Sequence, residues 1–133
     1  MSDEIKVLFL SPEAVPFAKT GGLADVAGAL PNALRHLGVE VEVMLPFYRV
    51  VREGEFQARP LLKDLVVPLG NSELAAQVLG AKTEDGLSVY LIDREDLYDR
   101  PNLYGTPLGD YYDNLERFFF CSCSLGNYYD AFP

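Results

Sequence analysis

The segment Lys19-Thr20-Gly21-Gly22-Leu23-Ala24-Asp25 decides how the start of this chain folds. It follows a short apolar run, Val7-Leu8-Phe9-Leu10, and opens a helical pattern of apolar residues: Leu23, Val26, Ala27, Leu30 and Leu34. The pattern predicts a strand, then a loop ending in a glycine pair, then the first turn of a helix. Helix N-termini attract anions, glycines let a ligand approach the backbone, and Lys19 adds a positive charge. We therefore expect this loop to hold the phosphates of a nucleotide-linked substrate.

The glycine pair also has simpler interpretations. Gly21 and Gly22 lack the spacing of the dinucleotide-binding fingerprint, and no Gly-Lys-Ser/Thr ending follows them as it does in a P-loop. Two glycines after a strand can form an ordinary tight turn, and a single lysine is usually solvated surface. The neighbouring Lys19 and Asp25 favour the functional interpretation.

Composition narrows the class of protein. The 133 residues suffice for one domain, with 49% hydrophobic and 23% charged residues and a net charge of −9. The negative charge argues against nucleic acid and anionic membranes as partners, although it can equally serve solubility alone. No apolar run approaches the ~20 residues that span a bilayer, and the first four residues lack signal-peptide features. We expect a cytoplasmic protein.

Cysteine and histidine are too few for a metal site. Cys121 and Cys123 adjoin the apolar run Phe118-Phe119-Phe120, which predicts buried, reduced thiols. His36, the single histidine, falls near the end of the predicted helix. We therefore expect neither a metal nor a cofactor.

Hydrophobic periodicity predicts an α/β chain. Residues 5–10 and 39–45 form strands around a helix at 22–37, a right-handed βαβ unit, with Pro31 kinking or splitting the helix. Residues 61–69, 74–81 and 87–92 predict an antiparallel meander, and Pro68 favours an edge position for its first strand. Residues 49–59 and 93–109 have loop composition. The expected fold is a partial Rossmann-like domain with a mixed sheet.

The last predicted element is a helix at residues 110–128. Its expected core side chains are Leu115, Phe118, Phe119 and Leu125. The chain then stops at Pro133, where a βαβ scheme requires another parallel strand. We expect the sequence to be a fragment or an incomplete homologue.

Several motifs occur together in a specific order. The first runs from Glu13 to Val26, Glu-Ala-Val-Pro-Phe-Ala-Lys-Thr-Gly-Gly-Leu-Ala-Asp-Val. The others are Gly28-Ala29-Leu30-Pro31, Val43-Met44-Leu45-Pro46-Phe47-Tyr48, Leu97-Tyr98-Asp99-Arg100-Pro101, Leu103-Tyr104-Gly105 and Asp113-Asn114-Leu115-Glu116-Arg117-Phe118. Over nearly the whole chain these motifs resemble the opening of bacterial glycogen synthases and plant starch synthases, glycosyltransferase family 5.

The resemblance implies a retaining glucosyltransferase with the two-domain glycosyltransferase B fold. Such enzymes move glucose from ADP-glucose, or UDP-glucose, to the non-reducing end of an α-1,4-glucan. Residues 1–133 would be the N-terminal, acceptor-side part of the catalytic region, truncated, with the C-terminal nucleotide-binding domain absent. Because that domain supplies the base-recognising groups, the choice between ADP- and UDP-glucose stays open and the chain alone is expected to be inactive.

The resemblance also implies roles for individual residues. Lys19 would contact the donor phosphates. Gly21 and Gly22 would let the loop, which includes Thr20, close on the pyrophosphate and the sugar. Asp25 would lie near the sugar as a hydrogen-bond partner. No catalytic residue is expected within the chain. The late-helix residues Asp113, Asn114 and Arg117 would tie that helix to a neighbouring loop.

Three tyrosines are candidates for binding the glucan acceptor by stacking on its rings: Tyr98, Tyr104 and Tyr111. They are equally consistent with ordinary loop and core aromatics. Two further hypotheses stay open beside the enzyme: a stand-alone module that binds glucan or nucleotide sugar, and a homo-oligomer formed through an exposed sheet edge.

Overall fold

Five strands form one mixed sheet in the computed structural model, which describes residues 4–131 and the side chains of residues 4–128. The strands are β1 Lys6–Leu10, β2 Glu40–Pro46, β3 Arg59–Leu69, β4 Ser72–Lys82 and β5 Ser88–Asp93, and they lie in the order β1-β2-β5-β4-β3. β1, β2 and β5 are parallel, whereas β3, β4 and β5 form an antiparallel meander. The α/β class and mixed sheet are confirmed, and β3, which contains Pro68, lies at an edge as expected.

Helix α1, Gly22–His36, connects β1 to β2, since parallel neighbours need a crossover of this kind. Pro31 does not split it, because the proline ring is buried and its packing offsets the lost hydrogen bond. The helix ends as predicted at Gly38, whose φ of 85° is the left-handed conformation that glycine adopts most readily. His36 lies in the last turn, with Nδ1 2.7 Å from the carbonyl oxygen of Asn32.

The centre of the sheet is covered on both faces. Val43, Met44 and Leu45 are consecutive in β2, so their side chains alternate between the faces, and each is at most 1% exposed. α1 packs against β2. The last helix, α4 Asn114–Ala131, brings Tyr128 to 4.9 Å from the Tyr90 ring of β5.

Two regions expected to be irregular contain short elements. α2, Arg49–Arg52, follows β2, and α3, Glu95–Tyr98, follows β5. A small hairpin comes next, with β6 at Gly105–Thr106 and β7 at Gly109–Asp110. Elements of two to four residues are too short to show a hydrophobic period, so composition alone predicted loops there.

The predicted core face of α4 is wrong in part. Leu115 is 79% exposed and Phe119 is 53% exposed, whereas Phe118 and Leu125 are partly buried. Among residues 114–128 of this helix, the buried positions are Arg117, Phe120, Cys121, Ser124 and Tyr128. Three consecutive phenylalanines carry no period of their own, and the buried face includes an arginine and a serine that a hydrophobic pattern does not count. Burial raises the pKa of the Cys121 thiol to about 12.

Phe120 and Phe119 make a matched pair of neighbours. Phe120→Ala should lower the free energy of unfolding by about 3–5 kcal/mol, because it leaves a cavity in the core. Phe119→Ala should lower it by less than about 1 kcal/mol, since much of that ring is already in solvent. Urea denaturation of both variants checks the assignment, and equal losses would contradict it.

Candidate functional site

The loop between β1 and α1 lies at the carboxyl end of β1, where open α/β sheets place their ligand sites. Its first part is a packed turn. The backbone amides of Ala14 and Ala18 each donate to the other's carbonyl, both at 3.0 Å. Phe17 is buried with its ring 4.5 Å from that of Phe56. This turn is a rigid base for the Lys19–Gly22 portion of the loop.

Glu13 lies beneath that portion, only 2% exposed. Its Oε1 accepts hydrogen bonds from the backbone amides of Gly21 at 3.1 Å and Thr20 at 3.4 Å. Its Oε2 accepts from the Thr20 hydroxyl and the Tyr104 hydroxyl, each at 2.6 Å. Two of the loop amides expected to meet a phosphate are therefore already bonded to a carboxylate of the chain itself.

Glu13 is held in its charged form. Burial alone would raise its pKa, but the hydrogen bonds from Thr20, Tyr104 and Gly21 outweigh it and bring the pKa below the ordinary 4.5. Burial and the neighbouring carboxylate raise the pKa of Tyr104, so its hydroxyl remains a donor. Among the described residues no cation forms an ion pair with Glu13, and its direct partners are neutral hydrogen-bond donors.

Lys19 and Asp25 pair with each other. The Lys19 ammonium lies 2.7 and 2.8 Å from the two carboxylate oxygens of Asp25, and both side chains are about half exposed, 52% and 57%. Exposed pairs of this kind contribute about 0–1 kcal/mol to stability. A phosphate could therefore replace Asp25 at the ammonium at little cost to the fold.

Neither steric crowding nor a positive φ within the described residues requires glycine at Gly21 or Gly22. Gly21 has a φ of −159°, which is extended backbone open to any residue, and Gly22 is helical. Within residues 4–131, a Cβ added at either position would meet no atom within 4 Å. Gly28 differs, because a Cβ there would come within 2.8 Å of the Val15 carbonyl oxygen. The two loop glycines leave open space on the solvent side, as a ligand contacting the backbone would require.

The three candidate tyrosines all have partners inside the chain. Tyr98 is fully buried and its hydroxyl donates to the Arg117 carbonyl at 2.7 Å, so it offers no ring face to a glucan in this structure. Tyr104 is half-buried against Phe118. Tyr111 is also half-buried, with guanidinium groups 4.8 and 4.9 Å from its ring centre.

The expected tie between α4 and the preceding loop is present. Arg117 is fully buried and donates to the carbonyls of Leu97 and Leu103, both at 2.6 Å. Asn114 Nδ2 donates to the Tyr104 carbonyl at 2.8 Å, and Arg100 pairs with Asp113. α4 thus anchors the segment that presents the Tyr104 hydroxyl to Glu13.

Sequence reasoning placed Glu13 inside a motif but gave it no role. The available signal was an acidic residue in a largely apolar stretch, three positions after the end of β1. Elsewhere, no three His, Cys, Asp or Glu side chains of the described residues are grouped as a metal site requires. No helix in that part of the chain is long and apolar enough to cross a membrane.

Comparison with known proteins assigns the family. Residues 6–130 match the family described as starch synthase catalytic domain. The chain belongs to this family. It is 45% identical over 122 residues to glycogen synthase 2 of Geobacter sulfurreducens, which covers 91% of this chain and 25% of that protein. It is 44% identical over 124 residues to glycogen synthase of Geobacillus stearothermophilus, covering 91% of this chain and 24% of that protein.

A solved structure agrees with the assignment. The catalytic domain of starch synthase IV from Arabidopsis thaliana, bound to ADP and acarbose, superimposes with a TM-score of 0.82 at 25% identity. The match covers 95% of this chain and 25% of that one. This starch synthase family chain therefore spans about a quarter of the length of the relatives it matches, and the predicted family is confirmed.

Acid should destabilise the chain partly through Glu13. A lowered folded-state pKa adds stability above the unfolded value near 4.5, and that stability is lost as the pH falls through the folded value. Wild type should therefore lose more free energy of unfolding than Glu13→Gln when the pH drops from about 6 to about 3. Urea denaturation across this range measures the difference. Glu116→Gln, at an exposed position, should follow wild type; equal acid sensitivity of all three proteins would contradict the assignment.

Proposed function

We propose that this chain forms the donor-phosphate wall of a retaining glucosyltransferase. The enzyme would move glucose from ADP-glucose, or UDP-glucose, to the non-reducing end of an α-1,4-glucan in glycogen or starch synthesis. One observation carries the proposal: an exposed ammonium and two glycines that leave open space above the backbone lie together at the carboxyl end of β1. The match to a starch synthase structure that holds ADP and acarbose supports the same ligand classes here.

The donor diphosphate would displace Asp25 from Lys19. The amides of Thr20 and Gly21 are bonded to Glu13, so the diphosphate would meet the next ones, at Gly22 and Leu23. These lie in the first turn of α1, where N–H groups lack an intrahelical acceptor and the helix dipole is positive. As the bond to glucose breaks, the leaving diphosphate gains negative charge, and a positioned cation and amides stabilise that charge.

The displaced Asp25 carboxylate would be free to accept hydrogen bonds from sugar hydroxyls. Thr20 would keep its hydroxyl on Glu13 and contribute through the shape of the loop. Acceptor contacts would come from the half-exposed rings of Tyr104 and Tyr111. Tyr98 is buried, so it would support the site only by packing in the core. Of these residues, only Asp25 would have to leave its present partner, Lys19.

The remaining parts of the active site would come from outside this chain. Catalysis by differential binding of the transition state needs both walls of a cleft. As the N-terminal, acceptor-side part of the catalytic region, residues 1–133 would therefore be inactive alone. We place the protein in the cytoplasm, where free thiols such as those of Cys121 and Cys123 stay reduced.

A second candidate role follows from the edge of the sheet. β1 pairs only with β2 in the described part of the chain, so its other edge is unpaired. A homo-oligomer through this edge, or a stand-alone glucan-binding module, would use the same chain differently. Sedimentation of the isolated chain tests the first: a monomer at high concentration contradicts it. Glycogen co-sedimentation tests the second.

Lys19→Ala should separate binding from folding. We expect kcat/KM for ADP-glucose to fall roughly 100-fold, as when one group that stabilises a leaving anion is removed. The assay uses a chimeric synthase in which this chain replaces the corresponding quarter of Geobacter sulfurreducens glycogen synthase 2. The melting temperature should hardly change, because the pair with Asp25 is exposed.

The matched control is Lys6→Ala, which removes another exposed ion pair, with Glu40 at 3.3 Å, from the opposite end of β1. It should leave both kcat/KM and melting temperature unchanged. A large fall in melting temperature for Lys19→Ala with normal donor use would reverse the assignment.

Gly22→Ala should have opposite effects on stability and donor use. A helical alanine in open space should raise the free energy of unfolding by about 0.4–1 kcal/mol. The added methyl group should obstruct the diphosphate and raise the KM for ADP-glucose of the chimera. Gly126→Ala, equally unobstructed in α4, should stabilise without changing the KM. Unchanged KM in both variants would contradict a phosphate contact at Gly22.

A further inference from the structure

Glu13 is a buried anion beneath a loop assigned to bind an anion. We propose that Glu13, held by Tyr104, is a positioning residue that sets the donor-binding shape of the Lys19–Gly22 loop before the donor arrives. This inference rests on the proposed function for the identity of the ligand. The arrangement of the loop itself rests only on contacts within the chain.

The buried charge of Glu13 is the first sign of a positioning role. An unpaired ionised carboxylate is costly to bury, and one placed next to a diphosphate would also repel it. A simple turn between β1 and α1 would not require a buried carboxylate at position 13. Glu13 nevertheless accepts four hydrogen bonds, three of them from Thr20 and Gly21. An acceptor with two oxygens can bind two adjacent amides and a hydroxyl together, and this fixes the path of the loop.

The fourth hydrogen bond to Glu13 comes from a distant part of the chain. Tyr104 lies 91 residues from Glu13 in the chain, yet its hydroxyl is 2.6 Å from Oε2. Tyr104 is fixed from behind, because its carbonyl accepts bonds from Asn114 Nδ2 and the Tyr111 amide, both at 2.8 Å. The adjacent Leu103 carbonyl accepts the Arg117 guanidinium at 2.6 Å.

These bonds form a continuous connection from α4 through Tyr104 and Glu13 to the backbone of the loop. Glu13 and Tyr104 need not contact the donor to affect its binding. A loop already held in its bound shape loses less conformational freedom when the ligand arrives, so the ligand binds more tightly. Removing the Tyr104 hydroxyl while keeping the ring proposed to contact the acceptor should therefore weaken donor binding with little effect on acceptor binding.

Tyr104→Phe tests the connection most cleanly. It deletes the hydroxyl and keeps the ring that packs 5.7 Å from Phe118. Hydrogen exchange of the backbone amides in the 133-residue chain should become about tenfold faster at Gly21 and Thr20, the change expected when a charge-assisted network loses one donor. Tyr90→Phe is the matched control, because it also removes a tyrosine hydroxyl whose pKa burial and a nearby glutamate, Glu42, help to raise, but in the middle of the sheet. It should leave the loop amides unchanged.

The chimeric synthase supplies the functional readout. Tyr104→Phe should raise the KM for ADP-glucose about tenfold, the change expected from the loss of the Tyr104–Glu13 hydrogen bond. The KM for glycogen and kcat should be nearly unchanged. Glu13→Gln, which keeps the shape but removes the charge, should also raise the donor KM. If Tyr104 acted only by stacking its ring on the acceptor, Tyr104→Phe, which keeps the ring, would leave the KM for ADP-glucose unchanged.

The outcomes separate the two proposals. If the Gly21 amide exchanges at the wild-type rate in both Tyr104→Phe and Glu13→Gln, the positioning role is overturned. Faster exchange with an unchanged KM for ADP-glucose overturns it as well. Faster exchange together with a selective rise in donor KM supports it. If the wild-type chimera transfers no glucose, the proposed function fails, while the exchange measurements still decide whether Glu13 sets the loop.

Discussion

The candidate site depends on a buried charge that hydrogen-bond donors of the chain itself must satisfy. Glu13 is ionised and buried without a cation among the described residues, so its stability rests on donors brought to it by the fold. Thr20 and Gly21 supply donors from the loop above, and Tyr104 supplies one from the far end of the chain. The position of the loop is therefore coupled to the packing of α4.

This arrangement changes how an anion site at a helix N-terminus should be understood here. The general rule treats the first unpaired amides as available to the ligand. In this chain the amides of Thr20 and Gly21 are occupied from below, and Lys19 is occupied by Asp25. The two interactions differ in strength. The buried bonds to Glu13 define structure, whereas the exposed Lys19–Asp25 pair is weak enough for a diphosphate to exchange with it.

The parallel part of the sheet places these groups together. β1, β2 and β5 end at the same edge, and the loops that follow them supply Glu13, Tyr48 and the segment leading to Tyr104. The Tyr48 hydroxyl donates to the Pro12 carbonyl at 2.6 Å, which holds the residue before Glu13. The antiparallel meander of β3 and β4 extends the sheet on the side away from this site.

Local sequence was sufficient for the elements with long, clear patterns. The βαβ unit, the meander, the end of α1 at Gly38 and the Lys19–Gly22 loop could all be predicted, because turn chemistry and hydrophobic period act over a few residues. Only the tertiary structure decided which face of α4 is buried, that Tyr98 has no exposed ring, and that Glu13 meets Tyr104. Those outcomes depend on contacts between segments up to 91 residues apart, and no local pattern encodes which distant donor will satisfy a buried charge.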